Sequence, residues 1–414
     1  MTLENMKSRP KSILFISHDA SRTGAPIFLL RFLRWFRENH AAPFHILVGK
    51  SGDILPDFES VGQADLFEPR PTLVQSLSYR ILHRLHLRPH VRKATINPHH
   101  LELLRRRLLK SNIGLIYSNT ITNGPILDFL SFLNCPVICH VHELEYSISV
   151  CTTPDGIEIV KKHASCYIAA SDAVKRNLVG NLKIPVDKIC TIHGFIPLSE
   201  DRKREVQSLG RDIRQELGIA PETKVVCACG AIDPRKGPDL FLEVARRVAG
   251  TYKIAPVHFI WVGGHPWDVK AMRMKAESLS LQNIVHFVGQ SQDVNAYYDV
   301  SDVFLLPSRE DPFPLVMLEA AWRGKPIVCF ANAGGASEFV GRDAGFVVPA
   351  FDVDEMSRRV VDLLTSSDLR SQMGATAKQR VLDHHDLSAG AAKIARIIDD
   401  TLLAVEDRRD DGTN

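Results

Sequence analysis

The chemistry that this sequence could support depends on two acids, Asp311 and Glu319, and on a basic pair, Arg235 and Lys236. Seven residues separate the two acids, in a segment that predicts a buried strand, a sharp loop and a helix. Open α/β sheets bind ligands at the carboxyl ends of their strands, where such loops lie. The segment therefore predicts a ligand site at a sheet edge.

The loop before the helix leaves few backbone donors, because Pro312 and Pro314 fix φ and have no amide proton. The donors that remain at this turn are the amides of Phe313, Leu315 and Val316. Amides at a helix N-terminus can hold phosphate oxygens. We therefore expect the loop to bind an anionic group.

Glu319 lies one helical turn beyond Leu315, so its side chain could point to the distal hydroxyls of a ligand held by the loop. Structural roles are also open for both acids. Asp311 could cap the helix, and Glu319 could pair with Arg323 at i+4.

The basic pair lies in the stretch GAIDPRKGPDLF, residues 230–241, just before a helix predicted to begin near Pro238. Two cations beside a helix N-terminus form an anion site, although a solvated pair in a turn is the simpler alternative. The sequence contains neither the glycine pattern of dinucleotide-binding Rossmann proteins after a strand nor a P-loop. A dehydrogenase or a P-loop NTPase is therefore not indicated.

Strand-like and helical runs alternate along the 414 residues, which predicts two α/β domains with mostly parallel sheets. We expect a cleft between them, lined by the carboxyl ends of both sheets. The predicted boundaries are an N-terminal Rossmann-like domain at 1–196, a charged linker at 197–222, a second Rossmann-like domain at 223–386, and a C-terminal helix and tail at 387–414 that packs back towards the first domain.

Composition excludes some function classes, since a net charge of +3 gives no general affinity for polyanions. The eight cysteines include no CxxC pair and no zinc-type spacing, which favours free thiols in a reducing cytosol. We predict no metal site, because Asp352-Val353-Asp354 precedes a helix and is interpreted as its cap. The N-terminus does not resemble a signal peptide, and no apolar run approaches a membrane span. We therefore expect a cytoplasmic protein.

A basic insertion at about 70–110 interrupts the alternation. It holds ten Lys/Arg, five His and one acid, with leucines at helical spacing. One interpretation is a pair of surface helices with basic outer faces. The other is peripheral attachment to anionic lipid or to a lipid-diphosphate acceptor. Nucleic acid is disfavoured, because Tyr79 is the only aromatic residue in the insertion.

The second half of the chain resembles the family 4 retaining glycosyltransferases, which have the GT-B fold. The first half matches more thinly. The motifs that carry the resemblance, in chain order, are SRTGAP, HVHE, ASDAVKRNL, HGF, GAIDPRKGPDLF, FIWVGG, SREDPFPLVMLEAAWRGKPIV and ANAGGASEFV.

The resemblance implies separate roles for the residues already singled out. Asp311 would lie near the donor sugar and its reacting carbon, and Glu319 would bind the ribose hydroxyls of the nucleotide. Arg235 and Lys236 would neutralise the leaving diphosphate, which the amides of the 312–316 loop would also hold.

Three further residues are implied. His142 would lie near the sugar, although a structural histidine beside His140 remains an alternative. Gly24 would lie in a loop that approaches the phosphates or the acceptor. Glu338 would lie in a loop that follows the nucleotide pocket. Other histidines, His163, His384 and His385 among them, are expected at the surface.

The sequence departs from the family pattern at three places. The first acid is Asp311 rather than glutamate, and Glu310 beside it is a second candidate to face the sugar. The family's Gly-Arg is Gly230-Ala231 here, so Arg235 would replace the missing arginine. A double glycine near the N-terminus is reduced to Gly24.

The function implied by the resemblance is a retaining, metal-independent transfer of a hexose from a UDP- or GDP-sugar, with no cofactor. The acceptor would be a glycan, a cell-envelope polysaccharide precursor or a lipid-linked sugar. Two alternatives are a nucleotide-sugar isomerase of the UDP-N-acetylglucosamine 2-epimerase type and a non-catalytic sugar-binding relative.

Overall fold

The computed structural model describes residues 11–68, 97–198 and 212–410. Its strands are β1 Ser12–Asp19, β2 Phe44–Lys50, β3 Ala64–Leu66, β4 Ile113–Ser118, β5 Val137–Val141, β6 Ala164–Ala169, β7 Ile189–Thr191, β8 Lys224–Cys229, β9 Val257–Val262, β10 Val285–Gly289, β11 Val303–Leu306, β12 Ile327–Phe330 and β13 Gly345–Val348. The continuous apolar runs that alternate with helical segments in the sequence form these strands. They are apolar throughout because helices cover both faces of each sheet.

The helices of the first half are α1 Gly24–Asn39, α2 Leu55–Val61, α3 Pro98–Lys110, α4 Gly124–Leu130, α5 Glu145–Cys151, α6 Pro154–His163 and α7 Asp172–Gly180. Those of the second half are α8 Ile213–Glu216, α9 Pro238–Thr251, α10 Pro266–Ser278, α11 Asn295–Val300, α12 Leu315–Trp322, α13 Ala336–Val340, α14 Val353–Thr365, α15 Ser367–His384 and α16 Leu387–Asp410.

The strands form two separate sheets. The first has the order β3-β2-β1-β4-β5-β6-β7, and the second has the order β10-β9-β8-β11-β12-β13. Neighbouring strands in both sheets pair in parallel. The predicted α/β architecture of two Rossmann-like units is therefore confirmed.

The chain crosses between the two units at two adjacent points. Ile196 donates its amide to the carbonyl of His385, and Leu387 donates to the carbonyl of Ile196. The final helix, α16, then packs against α1, where Ile394 and Ile398 join the apolar core of the first unit.

Two predicted segments are only partly covered. In the insertion, α3 is a helix, and residues 69–96 lie outside the described ranges. In the linker, α8 is a short helix, and residues 199–211 lie outside those ranges. Within the described parts of the chain, no helix combines the length and apolar character needed to cross a bilayer.

Candidate active site

The paired residues at the centre of the site are Asp311 and Lys236, which meet at the carboxyl edge of the second sheet. Lys236 Nζ lies 2.5 Å from Asp311 Oδ2, and the two side chains are only 15% and 7% exposed. Helix α12 begins after Pro314 without a side-chain cap, so Asp311 does not cap it. The site therefore contains a nearly buried ion pair formed by residues 75 positions apart in the chain.

A second loop fixes the backbone of Asp311. The Asp311 amide donates to the carbonyl of Ala333 at 2.6 Å, and the Gly335 amide donates to the carbonyls of Asp311 and Pro312. Gly334, between them, has φ +125, a conformation that side chains rarely adopt. The two loops are therefore held together by backbone contacts rather than by side chains.

Arg235 lies beside this loop and also contacts its backbone. Its Nη1 donates to the carbonyl of Glu310 at 2.9 Å, and its own carbonyl accepts from the Arg309 amide at 2.7 Å. The guanidinium thus stabilises the backbone of the acid loop.

Three backbone amides at the start of α12 have no acceptor among the described residues. They belong to Phe313, Leu315 and Val316, the donors that the proline pattern leaves. Met317 is the first residue of the turn whose amide is satisfied, by the carbonyl of Pro314. Together with Lys236, these donors can receive an anionic ligand.

Glu319 forms an ion pair across the domain interface. Its Oε1 lies 2.7 Å from Nη2 of Arg31, on α1 of the first domain. Arg323 pairs instead with Asp299. The local i+4 pair considered from the sequence is therefore not formed.

Glu310 also reaches the first domain. Its carboxylate accepts hydrogen bonds from the amides of Tyr146 and Ser147, at 2.8 and 3.1 Å, and from the Ser147 hydroxyl. These groups lie in the first turn of α5, where a carboxylate is favoured. In this conformation Glu310 holds α5, whereas Asp311 is the acid that pairs with Lys236.

Glu338 makes a similar contact with α7. It accepts from the amides of Asp172 and Ala173, at 2.9 and 2.7 Å, and from His193 Nε2 at 3.0 Å. Arg176 lies 3.6 Å away. The contacts of Glu338 with described residues thus connect the two domains, and its implied place in a nucleotide pocket stays a prediction.

Among the described residues, Asp172, His193 and Glu338 form a cluster whose potential metal-ligand atoms all lie within 4.8 Å of one another. Both oxygens of Glu338 already accept from α7 amides, and the guanidinium of Arg176 is adjacent. A cation would therefore meet the positive end of a helix and an arginine, an unfavourable environment. The cluster fits an interdomain hydrogen-bond network better than a metal centre.

His142, which follows β5, is oriented by a residue that the sequence did not single out. Its Nε2 donates to Asn119 Oδ1 at 3.1 Å, and Asn119 Nδ2 donates to the carbonyl of Ala25 at 2.8 Å. This tautomer leaves Nδ1 as an acceptor. Asn119 follows β4 and His142 follows β5. The two residues are 23 positions apart in the chain, so their contact could not be recognised from local spacing in the sequence.

Gly24 and Glu143 lie close to the same part of the first domain. Gly24 is exposed at the start of α1, and a Cβ added there would meet no atom within 4 Å. Glu143 is buried and accepts from Thr120 Oγ1 and from the His142 amide. Burial raises the pKa of Glu143, and its hydrogen bonds hold the backbone that carries His142.

His385 corrects the expectation that it lies at the surface. It is only 6% exposed, stacks on Phe313 with ring centroids 5.4 Å apart, and donates from Nδ1 to the carbonyl of Gly194. His384, by contrast, is exposed as expected. The His385 ring is buried because the chain returns to the first domain at that point, a long-range event without a local sequence pattern.

Several buried or half-buried histidines predict acid sensitivity. Burial lowers the pKa of His142 to about 3 and those of His286 and His385 to about 4. An unfolded histidine titrates near 6.5, so below that pH the unfolded chain binds protons that the folded chain does not. We expect the free energy of unfolding to fall between about pH 6.5 and pH 4.

Urea unfolding at a series of pH values measures this dependence. Each histidine contributes up to about 1.4 kcal/mol per pH unit in that window. His286→Asn, outside the site, should reduce the slope, whereas His384→Asn should not. A free energy of unfolding that stays flat from pH 7 to pH 4 would contradict the expectation.

The comparisons with known proteins concern mainly the second domain. Residues 211–380 match the family model described as glycosyl transferases group 1. A trehalose synthase of Pyrococcus horikoshii is 30% identical over 194 residues, which is 45% of this chain and 46% of that protein. A GDP-mannose-dependent alpha-(1-6)-phosphatidylinositol monomannoside mannosyltransferase of Mycobacterium tuberculosis is 29% identical over 209 residues, 47% of this chain and 52% of that protein. The matches span about half the length of these relatives.

Solved structures extend the likeness to both domains. The Anabaena protein Alr3699/HepE in complex with UDP superposes with a TM-score of 0.72 at 20% identity, over 94% of this chain and 100% of that one. The same protein has been solved with UDP-glucose. At this identity the likeness establishes the fold. The chain has the GT-B fold, and its second domain is related to glycosyl transferases group 1.

Proposed function

We propose that this chain is a retaining glycosyltransferase that moves a hexose from a nucleotide-sugar to a hydroxyl of a glycan or lipid-linked acceptor. The observation that carries the proposal is the Lys236–Asp311 pair beside three amides near the start of α12 that have no acceptor among the described residues, within a domain related to glycosyl transferases. These groups provide the donors that a departing diphosphate requires.

The diphosphate would be bound by the amides of Phe313, Leu315 and Val316 and by the ammonium of Lys236. As the bond between the sugar and the diphosphate breaks, negative charge develops on the leaving oxygens. Preorganised amides and a nearly buried cation stabilise that charge without reorganisation. Because these groups supply the positive charge, we propose that the reaction needs no metal.

The sugar would lie between the two domains. Asp311 would contact it from the second domain, and His142 would accept a hydrogen bond from one of its hydroxyls through Nδ1. With the diphosphate on one side of the anomeric carbon, the acceptor hydroxyl would attack from that same side, and the configuration would be retained.

Release of nucleotide from a panel of UDP- and GDP-sugars, with and without a lipid and glycan extract, tests this proposal. We expect release to depend on both a donor and an acceptor, and the new glycosidic bond to keep the donor's anomeric configuration. Conversion of the sugar without an acceptor would instead identify an isomerase. Binding of nucleotide-sugars without turnover in any extract would identify a binding protein.

We also propose a peripheral contact of the first domain with the cytoplasmic face of an anionic membrane. On α3, Leu103 and Leu109 are 46% and 53% exposed, and Lys110 and Arg106 lie on the same exposed side of the helix, where Arg106 also pairs with Glu102 at 2.8 Å. Basic residues next to exposed leucines favour an anionic bilayer surface.

Cosedimentation with vesicles tests this contact. We expect the full chain to bind vesicles that contain phosphatidylglycerol and not neutral phosphatidylcholine vesicles, with binding weakened by salt. Each basic residue near the surface contributes about 1 kcal/mol, so Arg106→Glu combined with Lys110→Glu should weaken binding at least tenfold. Arg246→Glu, an exposed arginine on α9, is the control. Equal binding to both kinds of vesicle would contradict the proposal.

A further inference from the structure

The ion pair between Arg31 and Glu319 contains polar atoms without partners. Arg31 Nη2 lies 2.7 Å from Glu319 Oε1, and the two side chains are 18% and 22% exposed. Arg31 Nη1 is buried and has no hydrogen-bond partner among the described residues. Glu319 Oε2 likewise accepts from no described group. The pair thus leaves Nη1 of Arg31 and Oε2 of Glu319 available to a ligand.

An unsatisfied buried donor is costly, about 1–3 kcal/mol, and such groups are rare in folded proteins. When one occurs in a cleft between domains, a ligand is a natural partner for it. A guanidinium N–H next to a carboxylate oxygen is complementary to two neighbouring hydroxyls, of which one accepts from Arg31 and the other donates to Glu319.

The position of the pair relative to the anion-binding amides limits the identity of the hydroxyls. Glu319 lies one turn of α12 beyond Leu315, about 6 Å along the helix axis. A ribose spans a comparable distance between its 5′ phosphate and its 2′ and 3′ hydroxyls. A nucleotide whose diphosphate contacts the Leu315 amide would thus bring its ribose to this pair.

We infer that Arg31 is a donor-binding residue, which donates from Nη1 to one ribose hydroxyl while Glu319 accepts from the other. Arg31 belongs to the first domain and Glu319 to the second. The nucleotide would therefore be held by both domains. This inference rests on the proposed function, because it takes the ligand to be a nucleoside diphosphate.

Calorimetric titration with UDP, 2′-deoxy-UDP and 3′-deoxy-UDP tests the inference, with the GDP series in their place if the wild type prefers GDP. A hydrogen bond from a charged donor predicts that Arg31→Ala weakens binding of the full nucleotide about 10- to 100-fold. We expect this loss to shrink at least fivefold for the deoxy nucleotide that lacks the hydroxyl bound by Arg31. Arg31→Lys, which keeps the charge but has one nitrogen in place of Nη1 and Nη2, should restore only part of the affinity.

Arg34→Ala is the matched control. Arg34 lies one turn further along α1 and forms an ion pair of the same length, 2.7 Å, with Asp57 inside the first domain. Its removal should leave all three affinities unchanged.

A purely structural role of Arg31 would give an equal loss for all three nucleotides, and that result would overturn the inference. No loss of affinity in Arg31→Ala would overturn it as well. Failure of the wild type to bind either UDP or GDP would instead contradict the proposed function. The two failures are therefore distinguishable.

Discussion

Lys236→Ala is expected to lower nucleotide-dependent transfer by about 10²–10³-fold, the usual cost of removing one donor that stabilises a developing oxyanion. Nucleotide binding should also weaken about tenfold. Among the described residues, Lys236 is the one cationic side chain that forms an ion pair with Asp311, and the substitution removes it. The substitution therefore removes the cation that we propose faces the diphosphate, and it leaves a nearly buried carboxylate without its partner.

Lys224→Ala separates this effect from a loss of stability. Lys224 forms an ion pair with Asp302 at 3.2 Å, and these side chains are 27% and 17% exposed. The pair lies at the opposite end of the same sheet, where β8 begins. Steady-state transfer and thermal unfolding, measured for both variants, should show lost stability in each and lost transfer only in Lys236→Ala. Full activity of Lys236→Ala would contradict the assignment.

Gly334→Ala is expected to disrupt the site without touching a charged residue. The added Cβ would overlap with the carbonyl oxygen of Asp311, and a residue with φ +125 is strained whatever the space. The loop that carries Asp311 must then separate from the loop 333–335. We expect the free energy of unfolding to fall by more than ~3 kcal/mol and Tm to decrease by on the order of 5–10 °C. Transfer should fall below detection.

Gly218→Ala is the control for this prediction. Gly218 also has a positive φ, +65, but a Cβ there meets no atom within 4 Å. Replacing Gly218 with alanine should lower the free energy of unfolding by about 1 kcal/mol and leave transfer unchanged. Calorimetric unfolding and the transfer assay, applied to both variants, give the comparison. A Gly334→Ala variant with the stability and activity of Gly218→Ala would show that the loop pairing is unimportant.

Much of the fold follows from local patterns in the sequence. Continuous apolar runs such as residues 12–17 and 303–306 predict buried parallel strands, and both are strands. Ser171 and Asp352 predict helix starts, and both side chains accept a hydrogen bond from the third residue that follows. Propensity, capping and hydrophobic period act within a few residues, so they can be recognised without the tertiary structure.

The contacts across the cleft could not be predicted in this way. The partner of Glu319 is 288 residues away in the chain, and the amide partners of Glu310 and Glu338 are 163–166 residues away. The sequence singles out these carboxylates as candidate site residues. It does not show which helix N-terminus or which arginine each carboxylate contacts. The burial of His385 has the same origin, because it depends on the return of the chain to the first domain.

A crystal structure of the full chain with UDP or GDP bound tests the central claim most directly. We predict that the diphosphate accepts hydrogen bonds from the amides of Leu315 and Val316 and from Lys236, with the ribose beside Glu319. A nucleotide bound elsewhere on the chain, or a diphosphate that contacts neither α12 nor Lys236, would contradict the account.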